Sequence, residues 1–130
     1  MTTTNPNPYV AIVDDDGAIR TALGRALRME NYDVDLFEDG NSALKSVQLR
    51  APDAIILDLQ LPDIDGLEVC RQLNMDTRTG SIPVIFVSAR LDLAKCLETM
   101  SLPVAGCLTK PVALRDLVQS VSAAVFAEAH

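Results

Sequence analysis

The chain has 130 residues, of which 48% are hydrophobic, and it carries a formal net charge of −7 at pH 7. This length suits one domain, and the apolar fraction is large enough for a substantial core and argues against global disorder. The acidic balance argues against nucleic acid and anionic membrane surfaces as partners of this chain.

The N-terminal third of the chain begins with a polar segment and then alternates between two periodicities. Residues 1–7 are predicted to be a short disordered tail. The start of the chain has neither the basic nor the apolar region of a secretory signal, so no such signal is predicted there. The uniformly apolar run YVAIV at 9–13 predicts a buried strand. AIRTALGRALRM at 18–29 has helical spacing, and Asp16 is its expected N-cap. The alternating run YDVDLF at 32–37 predicts a strand near the edge of a sheet.

The middle of the chain repeats the same order of elements. Asn41 or Ser42 is expected to cap a second helix, which ends before Pro52. AIILD at 54–58 predicts another buried strand. LPDIDG at 61–66 combines Pro, Asp and Gly, which is the composition of a turn.

The rest of the chain continues the alternation. LEVCRQLN at 67–74 predicts a helix, and VIFVS at 84–88 predicts the fourth strand. LDLAKCLETM at 91–100 predicts a helix, and AGCLT at 105–109 predicts a short fifth strand. The stretch at 114–129 has apolar residues at helical spacing and predicts the last helix.

Five strands thus alternate with five helices, and the strands are mostly continuous apolar runs. Short connections and apolar strands predict a parallel sheet that is covered by helices on both faces. The fold class is therefore a doubly wound α/β domain, predicted over residues 8–130. Such sheets bind their ligands in the crevice at the carboxyl ends of the strands.

The carboxyl ends of four predicted strands carry polar residues suited to phosphoryl chemistry. They are Asp14, Asp15 and Asp16 at the first strand, Asp58 at the third, Ser88 at the fourth, and Thr109 and Lys110 at the fifth. Clustered carboxylates favour Mg²⁺, and one of them could act as a nucleophile toward phosphorus. A lysine and a serine could hold the phosphoryl oxygens. Each residue taken singly is more often part of a solvated turn or a cap, but together they point to one crevice.

At these positions the chain resembles the receiver domains of two-component response regulators. The resemblance is carried by IVDDDGAIR, IILDLQLPDIDGLEV, IPVIFVSA and LTKP, and it covers residues 8–128. Asp58 precedes Ser88 by 30 residues, and Ser88 precedes Lys110 by 22, as in single-domain chemotaxis-type receivers. The resemblance implies a flavodoxin-like sheet of five parallel strands in the order 2-1-3-4-5, with five helices.

The resemblance also implies roles for individual residues. Asp58 would be the phosphoacceptor and a ligand of Mg²⁺. Asp15 would bind the ion directly, Asp14 largely through water, and Gln60 through its backbone carbonyl. Asp16 has no such role in the family, so we assign it to the cap of the first helix.

The remaining site positions would act on the phosphoryl group. The resemblance implies that Ser88 donates a hydrogen bond to it and that Lys110 pairs with it. The bond between Lys110 and Pro111 is expected to be cis, which would aim the lysine into the crevice. Gln60 and Arg90, two residues beyond Asp58 and Ser88, would influence the lifetime of the phosphoryl group.

One position departs from the family pattern. Receivers usually carry Tyr or Phe three residues before the lysine, where this chain has Cys107. In the family that aromatic ring follows the movement of the serine or threonine, here Ser88, and remodels the output face. Cysteine is too small for that role. Output then runs through the loop before the predicted helix at 91–100, or the domain mainly receives and passes on phosphate; a redox role for Cys107 is the weaker third idea.

The resemblance implies a sensor histidine kinase or histidine phosphotransfer protein as donor, docking near Ala18 and Ala22, and a downstream protein partner. We expect a cytoplasmic monomer or weak homodimer that catalyses only its own phosphorylation and dephosphorylation. Neither a membrane span nor a zinc site is expected. One alternative is a phosphorylation-independent scaffold, and another is the excised receiver of a larger regulator such as a transcription factor. A dehalogenase-type phosphatase is disfavoured, because Gln60 stands where that class has a second Asp.

Overall fold

A computed structural model describes residues 7–89 and 104–127 of the chain. These residues form a five-stranded parallel sheet in the order β2-β1-β3-β4-β5, as predicted. The strands are β1 (Tyr9–Val13), β2 (Asp33–Phe37), β3 (Ala54–Asp58), β4 (Val84–Ser88) and β5 (Gly106–Thr109). Every residue of β1, β3 and β4 is buried, whereas β2 alternates in its first residues because it lies at an edge.

Four helices lie within the described residues: α1 (Gly17–Met29), α2 (Gly40–Leu49), α3 (Gly66–Asn74) and α4 (Leu114–Phe126). The helix predicted at 91–100, the N-terminal residues 1–6 and the last three residues lie outside the described part. None of the described helices is long and apolar enough to cross a membrane.

The predicted cap of α2 was wrong. The N-cap residue is Asp39, whose carboxylate accepts a hydrogen bond from the backbone N–H of Ser42, so the helix begins at Gly40. Asn41 and Ser42 therefore lie inside the first turn. The predicted cap of α1 is confirmed, because Asp16 accepts hydrogen bonds from the N–H groups of Ala18 and Ile19.

Two apolar clusters cover the two faces of the sheet. One contains buried residues of α2 and α3, and the other contains buried residues of α1 and α4. Successive residues of β4 alternate between them, with Phe86 in the first and Ile85 and Val87 in the second. This arrangement is a flavodoxin-like, doubly wound fold. The polar residues Asp14, Asp58 and Ser88 lie at the carboxyl ends of its strands.

Candidate functional site

The acidic residues predicted to meet at one edge of the sheet do so. Asp58 is the last residue of β3 and pairs in register with Val87 of β4, while Asp14 follows the last residue of β1 directly. Ser88 ends β4 and pairs in register with Thr109 of β5. The parallel sheet therefore brings Asp14, Asp58 and Ser88 to the same edge.

Two of the carboxylates are buried, which is unusual for aspartate. Asp14 is 2% exposed and Asp58 is 4% exposed, whereas Asp15 is exposed. One carboxylate oxygen from each of the three lies within 4.8 Å of the others. Three close oxygen donors match the ligand preference of a hard divalent cation such as Mg²⁺. The residues present thus fit the cation that the fold family implies.

Lys110 places its ammonium group between the two buried carboxylates. Its Nζ lies 2.8 Å from Oδ2 of Asp58 and 3.0 Å from Oδ2 of Asp14. The backbone N–H of Lys110 donates to the carbonyl of Ser88 at 2.9 Å, which anchors the residue to the end of β4. The Lys110–Pro111 peptide bond is cis, as expected.

The pKa values of Asp58 and Lys110 are shifted both by burial and by their hydrogen-bond contacts. Burial raises the pKa of Asp58, and the neighbouring Asp14 carboxylate adds to this, although the Lys110 ammonium and the N–H of Gln60 act in the opposite direction. Burial acts to lower the pKa of Lys110, but its hydrogen bonds to Asp58 and Asp14 outweigh burial and leave that pKa above its usual value. Burial therefore disfavours the ionised form of Asp58 even with the Lys110 ammonium beside it.

The loop after β3 holds the Asp58 side chain from the other side. The N–H of Gln60 donates to Oδ1 of Asp58 at 3.0 Å, so each oxygen of this carboxylate has a hydrogen-bond donor. The N–H of Gly66 donates to the carbonyl of Leu59 at 2.8 Å. A Cβ atom at Gly66 would lie 2.5 Å from the carbonyl oxygen of Asp58, so a larger first residue of α3 would force the backbone here to shift.

Two residues of this region were not singled out from the sequence. Arg20 donates from Nη1 to the backbone carbonyl of Asp14 at 2.7 Å, which fixes the turn between β1 and α1. Asp63 accepts hydrogen bonds from the N–H groups of Gly40 at 2.9 Å and Asn41 at 2.7 Å. The position of Arg20, one helical turn after the Asp16 cap, could have indicated a contact with the turn between β1 and α1. No local sequence pattern predicts the contacts of Asp63.

The structure also gives the positions of two other predicted site residues, Ser88 and Cys107. Ser88 is 2% exposed at the end of β4. Cys107 is partly buried on β5, where it pairs in register with Phe86 and packs against the cluster that contains α2 and α3. Arg90 lies outside the described residues. Within the carboxylate triplet, the predicted cap at Asp16 is confirmed, and the ligand roles of Asp14 and Asp15 stay predictions.

Comparisons with known proteins identify the family to which this fold belongs. The family model of the response regulator receiver domain matches residues 10–122. The response regulator MprA of Mycobacterium leprae is 38% identical over 115 residues, which are 88% of this chain and 49% of that protein. MprA of Mycolicibacterium vanbaalenii is 37% identical and is covered to 48%. The chain thus spans about half the length of these curated relatives.

Solved structures show the same fold. A sensor protein from Polaromonas sp. JS666 superposes with a TM-score of 0.87 at 31% identity, covering 95% of this chain and 100% of that one. The chemotaxis response regulator CheY4 of Vibrio cholerae gives a TM-score of 0.84 at 25% identity, covering 91% and 98%.

Proposed function

This chain belongs to the response regulator receiver family, and on that premise we propose that it is a signalling switch that accepts a phosphoryl group on Asp58. The observation that carries the proposal is the buried Asp58 carboxylate, held 2.8 Å from the Lys110 ammonium and close to two further carboxylates. A carboxylate in this setting can act as a nucleophile toward phosphorus. Receiver domains are switches of two-component systems rather than classical enzymes.

The transfer forms one bond and breaks another. An Asp58 carboxylate oxygen attacks phosphorus, and the bond to the donor's leaving group breaks, which gives an aspartyl phosphate. Oδ1 of Asp58 accepts from Gln60 and Oδ2 from Lys110, so the carboxylate is held in one orientation. After transfer, the Lys110 ammonium is placed to pair with a phosphoryl oxygen, and Ser88 at the neighbouring strand end donates a hydrogen bond to another.

We assign Mg²⁺ to the acidic cluster, with Asp14, Asp15, Asp58 and the backbone carbonyl of Gln60 as the protein's ligands. When bound, the ion neutralises the clustered carboxylates and the charge on the phosphoryl oxygens. The pKa of Asp58 is raised chiefly by burial, so its anionic form gains from a nearby cation. The closeness of the three carboxylates supports this assignment.

We propose that the donor is a sensor histidine kinase or a histidine phosphotransfer protein. We also propose that the reaction takes place in the cytoplasm. We assign its docking surface to the start of α1, where Ala18 and Ala22 are exposed beside the site. The output is a contact with a downstream protein, in which Ser88 responds to the phosphoryl group. Because Cys107 replaces the usual aromatic residue, we propose that output does not rely on a moving ring. We also propose that Gln60 and Arg90 influence the lifetime of the phosphoryl group on Asp58.

A second candidate is a receiver-fold scaffold that binds partners without phosphorylation. The complete set of Asp14, Asp15, Asp58, Ser88 and Lys110 favours the phosphorylated switch. Because the MprA relatives are about twice as long, this segment also fits the receiver part of a larger regulator. In both cases the chemistry at Asp58 is the same.

The proposal is tested by incubating the protein with acetyl phosphate and Mg²⁺ and recording the intact mass. We expect a gain of one phosphoryl group, which disappears in EDTA and in the Asp58→Asn variant. Asp65→Asn is the matched control, since Asp65 caps α3 through the N–H of Glu68 at 2.8 Å. If the wild-type mass does not change with Mg²⁺ present, the switch proposal is wrong and the scaffold becomes the better account.

A further inference from the structure

The loop at 59–65 connects the proposed phosphoacceptor to α3, and its far side touches the beginning of α2. Asp63 reaches across from this loop to α2. Its Oδ1 accepts from the N–H of Gly40 at 2.9 Å, and its Oδ2 accepts from the N–H of Asn41 at 2.7 Å. Both oxygens of one carboxylate are therefore bonded to consecutive N–H groups at a helix N-terminus, where the helix dipole also favours negative charge.

Helix α2 has a second carboxylate at the same end. Asp39, the local N-cap residue, accepts from the N–H of Ser42 at 2.8 Å. Asp39 thus satisfies the third N–H group of the helix, and Asp63 satisfies the first two. The two aspartates share the capping of α2, but they differ in one respect. Asp39 belongs to the helix's own segment, whereas Asp63 belongs to the loop that follows the phosphoacceptor.

The apolar side of the same junction is tightly packed. A Cβ atom at Gly40 would lie 2.7 Å from Cγ1 of Ile64 and 2.9 Å from a methyl group of Val69. Ile64 is partly buried against the core cluster that contains α2 and α3. The loop is thus held to α2 by two hydrogen bonds at Asp63 and by close packing at the next residue.

We propose that Asp63 is a positioning residue for the metal site, because it ties the loop that carries Gln60 to the N-terminus of α2. The inference rests on the proposed function, in which the backbone carbonyl of Gln60 is a metal ligand. Gln60 lies three residues before Asp63, and its N–H holds the Asp58 carboxylate. Removing the tether at Asp63 releases the middle of the loop, while the bond from Gly66 to Leu59 keeps its end in place.

The test compares Asp63→Asn with Asp39→Asn, because both remove a carboxylate from the same helix end and only the first touches the loop. The Mg²⁺ dissociation constant is measured by isothermal titration calorimetry, and amide hydrogen exchange of residues 59–65 is measured in EDTA. Loss of a residue that orients metal ligands typically weakens metal binding about 10–100-fold. We expect Asp63→Asn to weaken Mg²⁺ binding about tenfold, at the low end because other contacts remain. It should also speed exchange in the loop.

Asp39→Asn should bind Mg²⁺ within about twofold of the wild type and leave exchange in the loop unchanged, because the side-chain oxygen of asparagine still caps α2 and only the charge is lost. Gly40→Ala approaches the same junction from the helix. Its new methyl group displaces Ile64, so it should weaken Mg²⁺ binding and speed loop exchange as Asp63→Asn does. Neither readout requires phosphorylation.

Two results would overturn the inference. If Asp63→Asn binds Mg²⁺ as tightly as the wild type, the tether does not position the metal site. If Asp39→Asn weakens binding by the same factor, the effect belongs to the lost negative charge at the start of α2 rather than to the loop. In either case acetyl phosphate still labels Asp58, so the proposed function survives. A wild-type protein that neither binds Mg²⁺ nor gains a phosphoryl group contradicts the proposed function and this inference together.

Discussion

Lys110→Met is the most informative single change, because it removes the cation that lies between two buried carboxylates. The ammonium lies 2.8 Å from Asp58 and 3.0 Å from Asp14, and these two side chains are 4% and 2% exposed. Methionine keeps most of the side-chain length without the charge. The variant leaves two close, buried carboxylates facing each other without their ammonium partner.

The expected loss lies between two limits. Removing one partner of a buried ion pair costs about 3–5 kcal/mol, whereas an exposed pair contributes about 0–1 kcal/mol. The carboxylates are buried, but the Lys110 side chain is 23% exposed. We therefore expect the free energy of unfolding in EDTA to fall by about 2 kcal/mol. Excess Mg²⁺ should reduce this loss, since the ion supplies positive charge to the same carboxylates.

The assay is urea unfolding at pH 7, followed by circular dichroism, in EDTA and in excess Mg²⁺. Lys45→Met, which removes an exposed lysine from α2, is the control for a simple change in net charge. The control should change the free energy of unfolding by less than about 0.5 kcal/mol. If Lys110→Met is as stable as the wild type in EDTA, the ammonium does not compensate the buried carboxylates and the reasoning fails.

Three further predictions concern Asp58, Gly66 and Tyr9. Asp58→Asn should have a larger free energy of unfolding than the wild type at pH 7 in EDTA, and the difference should be smaller at pH 3. Burial raises the pKa of Asp58 above 3.8, so its ionised form opposes folding increasingly as the pH rises through that range. Urea unfolding at both pH values measures the two differences. Gly66→Ala should cost about 1–3 kcal/mol of unfolding free energy, since its Cβ meets a backbone carbonyl at 2.5 Å, and thermal unfolding measures the loss. Burial and the Asp35 carboxylate raise the pKa of Tyr9 to about 12, so alkaline titration of the tyrosinate absorbance should show a step there that Tyr9→Phe removes.

Each of these has a clear contrary result. A wild-type protein that is more stable than Asp58→Asn at pH 7 in EDTA would show that the Lys110 ammonium and the N–H of Gln60 compensate the Asp58 charge fully and not only in part. An unchanged melting temperature for Gly66→Ala would show that the loop moves freely away from α3. A Tyr9 phenol that ionises near pH 10 would contradict its burial. With the raised pKa, the stability linked to Tyr9 is complete below pH 10 and is lost as the pH rises toward about 12.

The strands and the convergence of the acidic residues were predictable from the sequence for one physical reason. Central parallel strands are buried on both faces, so they read as continuous apolar runs, and β1, β3 and β4 match their predicted bounds. Once the sheet is parallel, the residues that end its strands must share one edge. Asp14 and Asp58 therefore meet although 44 residues separate them.

The helix caps and the loop contacts were less predictable. Asp39, Asn41 and Ser42 are all good capping residues within four positions, and only the backbone path decides which one begins α2. The contacts of Asp63 join residues 22 and 23 positions apart, so neither period nor propensity encodes them. They depend on how the loop after β3 packs against α2, which is a tertiary property.

We propose that Asp58 itself carries the phosphoryl group, and chemical mapping of the labelled protein tests this assignment. After reaction with acetyl phosphate and Mg²⁺, borohydride reduction converts an aspartyl phosphate to homoserine, which peptide mass spectrometry locates in the sequence. We expect homoserine at position 58 and none at positions 14 and 15. Homoserine at either of those positions, or at no position in the wild-type protein, would contradict it.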